Sequence, residues 1–65
     1  MKKIDSFDVK ELRKEDVILL GQKDIFKILF ITDASVTILK NDNADSYLTI
    51  LPIEDLVSGE WYLSH

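Results

Sequence analysis

The sequence contains no cysteine, one proline, two glycines and one histidine. Without cysteine, neither a disulfide nor a cysteine-ligated zinc ion can stabilise the fold. Gly21 and Gly59 are too far apart to form a glycine-rich loop that binds phosphates. The histidine, His65, is the final residue of the sequence, so no internal imidazole is present to activate a serine or to build a metal site. These absences predict a protein that is not an enzyme and that carries no metal or other cofactor.

The chain is short, and 46% of its 65 residues are hydrophobic. Ordering the backbone costs about 1–2 kcal/mol per residue, whereas a fully buried Leu, Ile, Val or Phe returns about 1.5–3 kcal/mol. A large share of the apolar residues must therefore be buried, either inside one domain or across a subunit interface. We expect a single domain over residues 1–65 and a homo-oligomer, with a dimer favoured.

Charge is distributed unevenly over a chain whose net charge is −4. Residues 28–65 carry six acidic side chains and one basic side chain, Lys40. This balance disfavours nucleic-acid binding, which relies on clustered Lys and Arg, and suits a protein partner with a basic surface. No apolar run follows the first lysines, and no segment reaches membrane-spanning length, so we expect a cytoplasmic protein without a membrane partner.

Five short runs have the composition of β-strands, being rich in β-branched and aromatic residues. The central two are predicted to form a hairpin that turns at Asp33-Ala34-Ser35. The five predicted strands are residues 17–20, 25–32, 36–40, 47–51 and 60–63.

Two segments between these runs favour short helical structure. Asp8 followed by Glu11 resembles a capped helix start, so the N-terminal segment is predicted to be a short helix or an arm. Pro52, the acids Glu54 and Asp55, and Gly59 predict a single helical or 3₁₀ turn before the last strand.

This order of elements resembles SH3-like small β-barrels and the related Sm-like barrels, which add an N-terminal helix. Residues 12–17 (Leu-Arg-Lys-Glu-Asp-Val) are similar to the passage from helix to first strand in bacterial Sm-like RNA chaperones. Asp33 and the run 36–41 (Val-Thr-Ile-Leu-Lys-Asn) resemble the Asp…hydrophobic…Asn signature of that family. Lys27 replaces a strand glycine, and the chain has no Tyr-Lys-His-like run. The resemblance implies a mainly β fold, a five-stranded SH3-like barrel, and RNA or DNA binding by a ring as an alternative function.

The central strand is apolar on both faces. Strict alternation places Phe26, Ile28 and Phe30 on one face and Ile25, Lys27, Leu29 and Ile31 on the other. A strand with two apolar faces must be covered on both sides, so an exposed apolar patch is expected unless the N-terminal segment folds over it. The candidate interface residues of this patch are Leu29, Ile31, Leu39, Tyr47 and Tyr62.

Other polar or aromatic positions have simpler interpretations. Asn41, Asn43 and Asp45 are spaced like the start of a calcium loop, but Ser46 stands where that loop needs glycine, so a solvated hairpin loop is favoured. Glu54 and Asp55 are ordinary first-turn acids. A single Trp in a small barrel is more often structural, so Trp61 is expected in the core.

These observations favour a non-enzymatic binding or adaptor module that acts through protein–protein contacts. A small acidic regulator or inhibitor encoded by a phage or mobile element fits that description.

Overall fold

The computed structural model describes residues 2–21, 23–42 and 45–64, with residues 41, 42 and 45 described by their backbone alone. The fold is mainly β, with six strands and two short helices in the described residues. These elements are β1 (Lys2–Lys3), α1 (Ser6–Glu11), β2 (Val17–Leu20), β3 (Asp24–Ile31), β4 (Ser35–Asp42), β5 (Asp45–Pro52), α2 (Ile53–Ser58) and β6 (Trp61–Leu63).

The strands form one antiparallel sheet in the order β1-β6-β2-β3-β4-β5. The predicted five-stranded barrel was wrong in its strand count, and the sheet is open, with β1 at one edge and β5 at the other. The extra strand, β1, consists of two lysines that pair with Tyr62 and Leu63. Such a pair has low strand propensity, so its strand conformation depends on the tertiary pairing with β6.

Helix α1 begins one turn earlier than the sequence predicted. Asp5, not Asp8, is the N-cap: its carboxylate accepts hydrogen bonds from the N–H groups of Phe7 and Asp8. The Asp8 carboxylate in turn accepts from the N–H of Asp5 at 3.0 Å, which completes a capping box. The prediction of a helix or an arm is thus resolved as a helix with an acidic capping pair.

Of the helical or 3₁₀ turn predicted before the last strand, the structure shows an α-helix of six residues, Ile53–Ser58. The N–H of Gly59 donates to the carbonyl of Asp55, four residues earlier, at 2.9 Å. Pro52 precedes this helix and Gly59 ends it, as the sequence indicated.

The hairpin between β3 and β4 is confirmed, but Thr32 is the residue that closes it. The Thr32 hydroxyl oxygen accepts from the N–H groups of Ala34 and Ser35, and the Thr32 N–H donates to the carbonyl of Ser35 at 2.8 Å. A threonine can hydrogen-bond the backbone of a turn in this way without any glycine.

The hydrophobic core lies between one face of the sheet and the two helices. Trp61 belongs to it, as predicted, and its ring meets Phe26 edge to face with 5.2 Å between centroids. The buried core residues are Ile4, Leu12, Ile18, Ile28, Val36, Ile38, Leu56 and Trp61. We call the sheet face that carries Ile18, Ile28, Val36, Ile38 and Trp61 the inner face and the opposite face the outer face.

Candidate interaction surface

A β-bulge in β3 decides which side chains reach the outer face. Ile28 lies opposite Ile38, but the next aligned residue is Phe30, opposite Thr37, so Leu29 is an extra residue in this strand. Beyond the bulge, Ile31 lies opposite the buried Val36 and packs against the core. The predicted alternation was therefore wrong past Ile28, because one inserted residue exchanges the faces of all that follow.

Four large apolar side chains on the outer face are more than half exposed. The exposed fractions are 58% for Ile25, 60% for Phe30, 63% for Leu48 and 68% for Ile50. Leu48 lies directly opposite the half-buried Leu39 in the β4–β5 pair. Because cross-strand neighbours on one face touch, these side chains form a patch across β3, β4 and β5. We call the four exposed residues and Leu39 the outer patch.

The helices do not cover this patch. Ile4 and Leu12, on either side of α1, are buried in the core on the inner face. Phe7, on α1 itself, points away from the core and is 76% exposed. The alternative considered from the sequence, that the N-terminal segment folds over this apolar face, is therefore wrong for the described residues. The outer patch faces solvent.

The five predicted interface residues are not all in one place. Leu39 belongs to the outer patch, and Tyr62 lies on the outer face opposite Leu19 of β2. Leu29 is the half-buried extra residue of the bulge, and Ile31 packs against the core. Tyr47 pairs with Lys40, on the same face of β5 as Thr49, yet it is 52% exposed because the β4–β5 hairpin extends beyond the core.

The sequence analysis did not select Ile25, Phe30, Leu48 or Ile50. The alternation of Tyr47-Leu-Thr-Ile-Leu51 already indicated that residues 48 and 50 share a face, so these two were available from the pattern. Phe30 was not, because no feature of the sequence marks Leu29 as a bulge.

Two charged contacts border the outer patch. The Lys27 ammonium lies 2.6 Å from the Glu15 carboxylate, and this hydrogen bond and charge hold the pKa of Glu15 below its ordinary value. The Lys14 ammonium lies 5.1 Å from the centroid of the Phe30 ring, a cation–π contact. Lys27 lies on the outer face of β3, opposite Val17 of β2 and Leu39 of β4, so its charge adjoins the patch on this strand. No charged residue occurs in the sequence from Ser46 to Leu51.

Tyr62 lies on the outer face and contacts Glu60. Its hydroxyl donates to the Glu60 carboxylate at 2.8 Å. This hydrogen bond stabilises the protonated phenol, so it raises the pKa of Tyr62 above the ordinary value.

The backbone of β5 offers hydrogen-bonding groups at the edge of the sheet. The carbonyl of Ser35 accepts a hydrogen bond from the N–H of Thr32, so the backbone N–H and C=O of Ser35 point toward β3. In an antiparallel sheet the N–H and C=O groups of successive residues point to opposite sides of the strand. Those of Val36 therefore point toward β5, and those of Thr37 point toward β3. Ile50 pairs with Thr37 and Leu48 with Leu39, both in positions without ladder hydrogen bonds. The N–H and C=O groups of Leu48 and Ile50 therefore point away from β4, to an edge that no other strand of the described chain occupies.

A cleft of about 510 Å³ lies between the two helices and the β3–β4 turn. It is lined mainly by apolar side chains, with Lys10 and Asp33 bringing one charge of each sign. Its lining residues are Ser6, Val9, Lys10, Leu12, Ile31, Thr32, Asp33, Ile53 and Val57. A shallower depression of about 220 Å³ opens beside Ile25, Lys27 and Leu39.

Residues with potential chemistry are dispersed. Glu54 and Asp55 are exposed in the first turn of α2. In the part of the chain that the structure describes, no three His, Cys, Asp or Glu side chains come together as metal ligands. His65, Asn43 and the side chains of Asn41 and Asp45 lie outside the described residues, so the calcium-loop interpretation falls there too.

Comparisons with protein-family models, with curated proteins and with solved structures found no match. Among the described helices, none has the length and apolar character that crossing a membrane requires.

Proposed function

We propose that this protein is a non-enzymatic binding module that acts through protein–protein contacts made by the outer patch. The observation that carries the proposal is the exposure of Ile25, Phe30, Leu48 and Ile50 on one face of the sheet. Small proteins seldom leave a contiguous apolar surface uncovered unless it contacts a partner.

The energy available from this patch sets the kind of interface it can make. Burying a Leu, Ile or Phe side chain fully is worth about 1.5–3 kcal/mol. Covering the exposed part of four such side chains therefore contributes roughly 4–8 kcal/mol. Association itself costs about 4–15 kcal/mol, so a stable complex needs a further contribution. Backbone hydrogen bonds along the free edge of β5, beside Leu48 and Ile50, are available to supply it.

The acidic charge of the chain acts at longer range than the apolar contacts of the patch. Glu54, Asp55 and Glu60 are exposed on α2 and the segment that follows it. Such charge speeds the encounter with a partner whose surface is basic. A cytoplasmic location belongs to the same proposal. A regulator or inhibitor encoded by a phage or mobile element fits this size and acidity.

Catalysis is not part of the proposal. The sequence offers no internal histidine, and its paired acids Glu54 and Asp55 are exposed in the first turn of α2. The alternative, an Sm-like ring that binds RNA or DNA, rests on the resemblance around Asp33 and Asn41. The net charge of −4 argues against it.

The proposal is tested by affinity capture with a matched pair of variants. Tagged wild-type protein, the double variant Ile25→Ser/Phe30→Ser and the control Phe7→Ser are each incubated with a bacterial lysate, and bound proteins are quantified. Phe7 is the most exposed of the large apolar side chains, but it lies on α1 and not on the sheet. Proteins captured by the wild type should be lost with the double variant and kept with Phe7→Ser.

Two results would contradict the proposal. One is capture that persists unchanged in the double variant. The other is a wild-type protein that captures nothing and stays monomeric by light scattering at every concentration. Light scattering that instead shows a closed ring, together with a shift of short RNA at low salt, would support the Sm-like alternative.

A further inference from the structure

The β5 strand is an unprotected sheet edge. Natural proteins guard such edges with lysines, bulges, inward-pointing charges or a covering element. In β5, residues 46–50 are all exposed, and no charged residue occurs between Ser46 and Leu51. Pro52 stands at the very end of the strand, where it does not block the positions before it. An uncharged edge of this kind is a template for pairing with another strand.

Leu48 and Ile50 combine two features that a pairing edge needs. Their backbone groups point to the free edge, and their side chains lie on the outer face, where both are more than half exposed. A strand added at this edge would therefore gain backbone hydrogen bonds and apolar contacts from the same two residues.

We propose that β5 pairs antiparallel with β5 of a second copy of this chain, with the two-fold axis at Thr49. In this register Leu48 lies opposite Ile50 of the partner subunit, and both pairs exchange backbone hydrogen bonds. Thr49 lies opposite Thr49 of the partner subunit in a position without hydrogen bonds, and cross-strand Thr pairs are favourable. The two six-stranded sheets become one continuous sheet, and the outer patches of the two copies meet on the same side.

A second copy fits the edge because the edge is complementary to itself. A symmetric interface brings identical surfaces together, which a charged edge would resist by like-charge repulsion, and residues 46–51 carry no charge. The register centred on Thr49 places Tyr47 opposite Leu51 of the partner subunit. A register centred on Leu48 would place Leu51 opposite Asp45 of the partner subunit. One centred on Ile50 would place Leu48 opposite the partner's Pro52, which has no N–H to donate. In the register centred on Thr49, Pro52 lies opposite Ser46 of the partner subunit, at the end of the paired segment, so the hydrogen bonds of Leu48 and Ile50 are kept.

This inference rests on the proposed function in using the same outer patch, but it is tested on purified protein alone. The chain has no cysteine, so the variant Thr49→Cys introduces one thiol for each copy. At antiparallel positions without hydrogen bonds the Cα atoms are about 4.5 Å apart, which is within the range that a disulfide spans. The matched control is Tyr47→Cys, whose copies would be four residues apart along the paired strands, or about 13 Å.

Oxidation with a glutathione pair should convert Thr49→Cys to a covalent dimer of 15 kDa, twice the 7.5 kDa chain, and leave Tyr47→Cys largely uncoupled. Light scattering on the unmodified protein should show the dimer at high concentration. Equal cross-linking of the two variants would overturn the register. Absence of cross-linking, with a monomer at every concentration, would overturn the dimer, and if lysate capture still depends on Ile25 and Phe30 the proposed function stands without it.

Discussion

Ile28 and Phe30 lie on opposite faces of the sheet, although they are two residues apart in one strand. Ile28 is fully buried opposite Ile38, whereas Phe30 is largely exposed opposite Thr37. Leu29, the extra residue between them, causes the exchange. The bulge therefore moves an aromatic side chain from the core to the outer patch and brings Ile31 to the core in its place.

This arrangement predicts unequal effects of two conservative substitutions. Ile28→Val removes a buried methylene and should lower the free energy of unfolding by about 0.5–1.5 kcal/mol. Phe30→Leu changes an exposed side chain and should stay within about 0.5 kcal/mol of the wild type. Urea unfolding of both variants at low protein concentration measures the difference. A comparable loss in Phe30→Leu would mean that Phe30 packs in the core and that β3 has no bulge at Leu29.

The capping box predicts an acid-sensitive start of α1. The Asp5 carboxylate accepts hydrogen bonds from the N–H of Asp8 and from the ammonium of Lys2. These bonds, with that of Asp8 contributing most, hold the pKa of Asp5 below the ordinary value of 3.8. A lowered folded-state pKa means that this stabilisation is complete above the unfolded value and is lost as pH falls through the lower folded value.

The matched variant is Asp5→Asn, because Asn caps helices as well as Asp but does not titrate. Between about pH 4 and pH 2, unfolding free energy should fall more steeply for the wild type than for Asp5→Asn. Parallel profiles would show that Asp5 is not the cap.

Glycine is required at position 59 because a side chain there has no room, and not because the backbone adopts a left-handed conformation. A Cβ at this position would lie 2.9 Å from the carbonyl oxygen of Asp55 and 3.1 Å from Cδ1 of Trp61. Gly59→Ala should therefore lower the free energy of unfolding by about 1–3 kcal/mol and change the fluorescence of Trp61.

Gly21→Ala is the comparison, because Gly21 has φ +65° and an added Cβ would meet nothing within 4 Å. Its cost of about 1–2 kcal/mol comes from the left-handed backbone alone, so the emission of Trp61 should not move. A shifted emission in Gly21→Ala, or an unchanged one in Gly59→Ala, would contradict the packing described for this end of α2.

A lysine on the free edge should prevent association without unfolding the protein. Ile50→Lys places a charge where two copies are proposed to meet, whereas Ile25→Lys places it on the outer face away from that edge. Since 1.4 kcal/mol is a tenfold change in an equilibrium constant, Ile50→Lys should raise the dimer dissociation constant at least about tenfold. Sedimentation over a range of concentrations measures this, and equal effects of the two variants would argue for packing through the face instead.

Much of the secondary structure was predictable from local pattern. The strand at Val17–Leu20, the hairpin of β3 and β4, and the proline and glycine that bound α2 follow from composition and turn chemistry. These features depend on residues close in sequence, so a short window contains the information that forms them.

The features that the sequence did not predict depend on contacts between distant residues. The residues near Asp5 and Asp8 do not decide which of the two caps α1, because each is followed by an acid three residues later. The earlier start, at Asp5, accompanies the burial of Ile4 in the core. The sequence predicted an exposed apolar patch but identified only some of its residues, because the bulge at Leu29 determines which side chains of β3 reach the outer face. Whether the sheet closes or stays open depends on pairing between its two edge strands, and no short stretch of sequence contains both strands.

Amide hydrogen exchange along β5 tests most directly whether this edge and the outer patch form an interface. The N–H groups of Tyr47 and Thr49 donate hydrogen bonds to β4, so they should be protected from exchange in dilute and concentrated samples alike. Those of Leu48 and Ile50 should exchange rapidly when dilute and become protected as concentration rises. If Leu48 and Ile50 exchange equally fast at every concentration, no strand adds to β5 in the purified protein. That result would contradict self-pairing at this edge.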